Sequence, residues 1–255
     1  MAGASDFGGG FTWDMAPGSR TGEVLEGIRI LLESVADLEN PGEYAKAYAR
    51  LPRFRQVKAD ALMFGRDKCL SVGAWLLLGR AFMLEGYCLD DYRIGYSQCG
   101  KPFAMDCPLH FSIAHSGEYA MCAVSQAGEI GCDIQRIDAY DGDLARVCMK
   151  PCEISRIEAS SCFDERALRF CGHWVAKESY MKALGCGLAK DPASFAVGLC
   201  DAGESDVGCK LKWSAPGDVL VFDGDQAERA CVFGVHAPQG YCAAVCALGC
   251  GDAMA

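Results

Sequence analysis

The stretch Trp174-Val175-Ala176-Lys177-Glu178-Ser179-Tyr180-Met181-Lys182-Ala183-Leu184-Gly185 sets a carboxylate inside the apolar stripe of a helix. Leu168, Cys171, Trp174, Val175, Met181 and Leu184 recur at helical spacing and mark the buried face. Glu178 falls within that stripe, four residues after Trp174. An unpaired carboxylate on a buried face is very costly, so Glu178 has to meet a cation, hydrogen-bond donors or a metal. Lys182 follows at i+4 and offers an ordinary helix ion pair, worth only a few tenths of a kcal/mol. Gly185 suits the left-handed position that ends a helix.

A second stretch, Ile130-Gly131-Cys132-Asp133-Ile134-Gln135-Arg136, alternates as a strand. Ile130, Cys132 and Ile134 take one face; Gly131, Asp133 and Gln135 take the other. Asp133 and Gln135 thus present two oxygen donors about 7 Å apart along the strand. By itself the pattern also fits an antiparallel strand with one solvated face.

The remaining elements follow from periodicity and turn chemistry. Residues 1–21 are rich in glycine and small residues and are expected to form a disordered tail. Val24, Leu25, Ile28, Leu31, Leu32 and Val35 predict an amphipathic helix with Thr21 as cap. A short helical piece is expected over 41–50, and a long buried helix over 67–84, ended by Gly86. Phe111 to Ala114 and Tyr119 to Ser125 read as strands around a turn at residues 115–118. Residues 143–158 and 164–184 read as helices. Short strands are expected at 194–200, 210–213, 219–222, 230–236 and 240–248. Helices followed by antiparallel strands in each half predict an α+β fold. The expected domains are the tail, an N-terminal lobe over 22–128 and a C-terminal lobe over 129–250.

Composition narrows the function. A net charge of −10 argues against broad nucleic-acid binding, which needs a basic surface. No run of about 18 apolar residues predicts a membrane span. The N-terminus lacks the basic and apolar regions of a secretory leader. The chain has 17 cysteines but no C-x-x-C pair, and many stand where Ala or Val would fit. They read as reduced thiols of a cytoplasmic protein used as small core residues.

Asp133, Gln135 and Glu178 together form an all-oxygen set that suits a hard cation such as Mg²⁺, which keeps several waters and bridges to phosphates. Lys101, His115, Lys177 and Lys182 are the available positive groups, with Arg55 and Lys58 further back. Carboxylates with scattered cations suggest a metal-bound polyphosphate or pyrophosphate. Neither a Walker A loop nor a G-x-G-x-x-G fingerprint is present.

Gly100-Lys101-Pro102, Phe111-Ser112-Ile113-Ala114-His115-Ser116-Gly117, Ile130 to Gln135 and Trp174 to Gly185 occur in this order. In order and separation they resemble the motifs of the 4′-phosphopantetheinyl transferases, more closely the larger, surfactin-synthetase-type group. The resemblance covers residues 45–248. It implies one chain folded as two pseudo-symmetric lobes, each with helices on an antiparallel sheet, and a monomer. It implies Mg²⁺-dependent transfer of the 4′-phosphopantetheine group of coenzyme A to a serine of an acyl- or peptidyl-carrier protein, releasing 3′,5′-ADP. By the same resemblance Asp133, Gln135 and Glu178 are the metal ligands, with Glu178 also the base for the serine. Lys182 stabilises the leaving phosphate, and Lys177 faces the pyrophosphate. Lys101, His115, Arg55 and Lys58 contact coenzyme A.

Three positions depart from the family pattern. Gln135 stands for the usual Glu, Ala114 for Ser, and Leu70 for Arg. These departures favour, as the alternative, a non-catalytic coenzyme A or carrier-protein binding module derived from such an enzyme.

Overall fold

The computed structural model describes residues 21–25, 27–197, 221–223, 226–228 and 230–248. The expected tail, apart from Thr21, and the strand expected at 210–213 lie outside the described residues.

The chain starts with strands β1 (Thr21–Leu25) and β2 (Ile28–Ser34). Helices α1 (Pro41–Ala49), α2 (Arg53–Asp60) and α3 (Gly65–Leu84) follow. A small hairpin, β3 (Ile94–Tyr96) and β4 (Pro102–Ala104), precedes β5 (His110–Ser116), β6 (Tyr119–Ser125) and β7 (Ile130–Arg136). Helices α4 (Gly142–Cys148), α5 (Pro151–Glu158) and α6 (Phe163–Leu184) come next. The described part ends with β8 (Phe195–Val197), β9 (Val221–Asp223), β10 (Gln226–Glu228), β11 (Ala230–Gly234) and β12 (Tyr241–Leu248). The fold is α+β, with antiparallel sheets in the orders β1-β2-β6-β5, β11-β12-β7 and β10-β9-β8, and the β3-β4 pair.

The helix expected over 21–35 is instead the β1–β2 hairpin. Gly27, at φ 85°, supplies the left-handed turn residue. β2 lies between β1 and β6, so Ile30 on one face and Leu31 on the other are both buried. A strand buried on both faces loses its alternation, and its apolar run then mimics helical spacing. The helix expected over 143–158 is split into α4 and α5. Lys150, held at φ −71° and ψ 156° before Pro151, is in the extended region that a following proline favours. His115 and Ser116, expected in a turn, complete β5.

The elements stack in four layers. Leu78 and Phe82 of α3 pack on Phe111 of β5 and Val124 of β6 in one core. The other face of that sheet, with Ile30, Leu32 and Met121, packs on Ile130, Cys132 and Ile134 of β7 and Val245 of β12. Ala176, Tyr180 and Met181 of α6 cover the outer face of the second sheet with Val232 and Cys246. Among the described residues no helix is long and apolar enough to cross a membrane.

β5 and β7 are edge strands of different sheets, yet they lie side by side. No backbone ladder joins them. The Ser112 hydroxyl accepts from Cys132 N–H at 3.0 Å, and the Ser116 hydroxyl from Arg136 N–H at 3.0 Å. The two bonds keep the same spacing along both strands, so they fix the register of β7 on β5. Removing the Ser112 bond would leave a buried donor without a partner. Ser112→Ala should therefore cost about 1–3 kcal/mol in urea unfolding. An unchanged unfolding midpoint would show that these hydroxyls do not hold the seam.

Candidate functional site

The site begins at Gly131. A Cβ there would fall 1.9 Å from the carbonyl oxygen of Ser179 and 2.4 Å from the backbone nitrogen of Ala183. The backbone of α6 therefore rests directly on β7. Two residues on, Asp133 points at the same helix. Lys182 Nζ donates to its Oδ1 at 2.6 Å, and Asp133 is only 7% exposed.

Glu178, half-buried one turn earlier, completes the group. Burial raises its pKa; the Asp133 charge adds to the rise and Lys182 opposes it. Burial also raises the pKa of Asp133, and the Lys182 charge and hydrogen bond do not offset it fully. Burial lowers the pKa of Lys182, but Asp133 foremost, with Cys132 and Glu178, turns the net shift upward, so the ammonium keeps its proton. Two carboxylates share one ammonium, and the pocket is short of positive charge. Gln135 follows Asp133 on the same face of β7 and is half-buried.

Among the described residues no cluster of three or more His, Cys, Asp or Glu forms a metal cage. Asp133, Glu178 and the Gln135 amide are oxygen donors only. Such a set suits a hard cation that keeps waters and shares them with a phosphate.

His115 lies within electrostatic reach of this group and of α2. Lost hydration around its ring lowers its pKa; Lys182 and Arg55 lower it further, and Asp67 opposes them. Arg55 is 3% exposed. It lies 4.6 Å from the Trp75 ring centre and donates to the carbonyl and hydroxyl of Ser71 at 3.0 and 3.1 Å. Its Nε is buried without a hydrogen-bond partner. Lys58 sits 5.9 Å from the Tyr96 ring centre, and burial followed by the Arg55 charge lowers its pKa. Among the described residues neither cation forms a salt bridge. Cations kept close together without carboxylates suit an anionic ligand.

Two expected cations do not join the group. Lys177 is fully buried on another side of α6. Its Nζ bonds Glu153 Oε2 at 2.8 Å and the carbonyls of Pro192 and Phe195 at 2.8 and 2.5 Å. It has no hydrogen left for a pyrophosphate. Lys101 donates to Glu129 Oε2 at 2.7 Å and to the carbonyls of Ile130 and Ala183 at 3.0 and 3.4 Å. Helical spacing puts Lys177 next to Glu178, but one residue turns a side chain by about 100°.

Glu153 went unnoticed in the sequence. It is 1% exposed and also accepts from the backbone N–H of Val197 at 2.9 Å and of Lys150 at 2.8 Å. A glutamate at the third position of a helix opened by Pro151 is the capping pattern that could have revealed it. The departures at 114 and 70 also take their place. Ala114 packs between the two sheets, and Leu70 lies in the core under α3.

Both the Gly131 contact and the Glu153 cluster can be tested. Gly131→Ala sets a methyl against backbone and should cost about 1–3 kcal/mol of overpacking; a wild-type melting temperature would refute the close contact. Burial raises the pKa of Glu153, but His173 foremost and Lys177 reverse the shift, so the net pKa is lowered. Its stabilisation is present above an unfolded glutamate pKa of about 4.3 and is lost as pH falls through the lowered folded value. Urea titrations from pH 7 to pH 3 should show a shallower acid limb in Glu153→Gln. Lys177→Met should cost about 3–5 kcal/mol at pH 7, because it leaves a buried charge unpaired.

A family model described as the 4′-phosphopantetheinyl transferase superfamily matches residues 129–246. A 4′-phosphopantetheinyl transferase of Bacillus subtilis is 31% identical over 163 residues, covering 63% of this chain and 71% of that protein. The 4′-phosphopantetheinyl transferase Sfp of Bacillus subtilis (strain 168) is 33% identical over 134 residues, 51% of this chain and 59% of its own. The 4′-phosphopantetheinyl transferase gsp of Aneurinibacillus migulanus is 36% identical over 114 residues, 44% of this chain and 47% of its own. The chain thus spans just over two thirds of the first relative and about half of the other two. By these matches the chain belongs to the 4′-phosphopantetheinyl transferase superfamily, a class of transferases. Within it, the chain falls in the Sfp-like group.

Proposed function

We propose that this protein transfers the 4′-phosphopantetheine group of coenzyme A to a serine hydroxyl of an acyl- or peptidyl-carrier protein, with Mg²⁺, and releases 3′,5′-ADP. The observation that carries this reading is the Asp133–Lys182–Glu178 group: two buried or half-buried carboxylates around one ammonium, with His115 within the field of both Lys182 and Arg55 of α2. Asp133, Gln135 and Glu178 would hold Mg²⁺, which neutralises oxygen charge on a pyrophosphate when bound.

The side chains then divide the remaining work. Glu178, whose raised pKa makes it a better base than an exposed glutamate, takes the serine proton. Lys182 stays charged and meets the leaving phosphate oxygen. His115 and the Arg55–Lys58 pair receive the phosphates of coenzyme A. Phosphoryl-type transfer depends mainly on position and charge neutralisation, which suits groups fixed on a helix and two strands.

We read the α3-backed sheet and the α6-backed sheet as the two pseudo-symmetric lobes, over 22–128 and 129–250. The long helix on each antiparallel sheet supports this. Because β7 and α6 and the cations of α2 are in one chain, a monomer suffices for the site. A reducing, cytoplasmic setting fits cysteines that serve as small core residues, as Cys132, Cys171 and Cys246 do.

The test is to incubate the protein with coenzyme A, Mg²⁺ and a panel of apo carrier proteins, and to weigh the carriers. One phosphopantetheine arm should be added. Asp133→Ala and Glu178→Gln should each lower the rate about 10²-fold or more. Gln135→Glu should keep turnover and lower the Mg²⁺ concentration required. Coenzyme A binding with no gain of mass on any carrier would establish the non-catalytic module instead.

A further inference from the structure

The tip of the β3–β4 hairpin belongs to the first half of the chain, but it closes on the end of α6 from the second half. Ser97 Oγ donates to the carbonyl of Gly185 at 3.3 Å. The same hydroxyl accepts from Lys101 N–H at 3.0 Å, and Ser97 N–H donates to the Lys101 carbonyl at 2.9 Å. The tip is therefore a closed turn, with Gly100 at φ 83°. From it the Lys101 side chain reaches over Gly185. A Cβ on that glycine would lie 3.7 Å from Lys101 Cδ.

The Lys101 ammonium ends between two backbone carbonyls and one carboxylate. Ala183 O belongs to the last turn of α6, Ile130 O to the first residue of β7, and Glu129 precedes β7. All three of its hydrogens are used. A cation at a helix C-terminus is favoured by the helix dipole and satisfies a carbonyl left open there. Ala183 adjoins Lys182, and Ile130 lies three residues before Asp133 on β7. One ammonium thus joins the two segments whose side chains meet as Lys182–Asp133.

We propose that Lys101 is a positioning residue, which caps α6 across the two halves of the chain and sets Lys182 against Asp133, and that it is not a coenzyme ligand. The role rests on the reading of Lys182 and Asp133 given above; the capping contact itself does not. Because Lys101 acts on the helix end, its loss lowers turnover and leaves coenzyme A binding intact. An arginine at 101 keeps the charge and can reach the same carbonyls.

The experiment compares wild type, Lys101→Met, Lys101→Arg and Ser97→Ala by two measurements. The first is steady-state transfer kinetics. Lys101→Met should lower kcat about 10- to 100-fold with the KM for coenzyme A unchanged, as displacement of a working group does. Lys101→Arg should restore most of it, and Ser97→Ala should show the same pattern more weakly. A raised KM with unchanged kcat in Lys101→Met would make Lys101 a coenzyme ligand and overturn the proposal. The second is amide hydrogen exchange of residues 182–186 without coenzyme A. It should quicken about two- to fivefold in Lys101→Met, the effect of one terminal charge, and return to wild type in Lys101→Arg. If the wild-type protein transfers nothing, the function proposed above fails, and exchange alone decides; unchanged exchange overturns the cap. Should Lys101→Met not fold, Ser97→Ala carries both measurements, and wild-type kinetics and exchange in it overturn the proposal.

Discussion

Ser179 and Ala183 of α6 lie against the Cα of Gly131, and no side chain fits between them. The rest of the site depends on this approach. Lys182 Nζ reaches Asp133 Oδ1 at 2.6 Å from a helix resting on the strand. A helix lifted to an ordinary separation would need a side chain in the gap and would put water between these charges. Gly131 is also the point at which three layers are tied together: α6 rests on β7, and β7 is registered on β5 by the hydroxyls of Ser112 and Ser116.

Much of this was legible in the sequence, and the reasons are physical. In the helix from 163 to 184, Cys171, Val175 and Met181 are buried as the apolar spacing implies, but Leu184 at its end is exposed, and His173 and Lys177 are buried on another side. β7 kept its alternation because its two faces do different work, Ile130, Cys132 and Ile134 in a core and Asp133 toward a helix. Asp133, Glu178 and Lys182 lie together, which their spacing alone does not imply, and His115 with Arg55 lies within their field. Strand β2 takes helical spacing in the sequence because its burial on both faces erases alternation. Lys101 and Lys177 are assigned to a ligand by the resemblance of their motifs, which carries no information on side-chain contacts. A sequence shows that a cation is present, but not whether backbone carbonyls have already taken its hydrogens. The seam of serine hydroxyls was hidden for a related reason: Ser112 and Ser116 are short polar residues in a strand, and nothing in their spacing names a donor on another sheet.

The lysines of the α6 region divide by what surrounds them. Lys177, with no exposed surface, holds α6 to α5 and β8 through Glu153. Such a pair adds little net stability over an apolar substitute, but it is costly to break. It therefore fixes the rotation of the helix more than it strengthens the fold. Lys101 fixes the helix end. Only Lys182 of these three has a carboxylate pair within reach, and only its charge is directed at the pocket.

The two-to-one ratio of carboxylates to ammonium has a thermodynamic consequence. With Asp133 and Glu178 ionised and Lys182 protonated, these three groups sum to one negative charge. A polyphosphate approaching them is repelled. A bound dication reverses the sign to one positive charge, and the same approach becomes attractive. Cation and anion affinities are then positively coupled, and linkage makes that coupling reciprocal. An anion that strengthens cation binding is strengthened by it to the same degree. With an uncharged amide at 135, the group begins one charge less negative than it would with a carboxylate, so on the function proposed above a free cation would be held less firmly and an incoming phosphate would do more of the site's assembly.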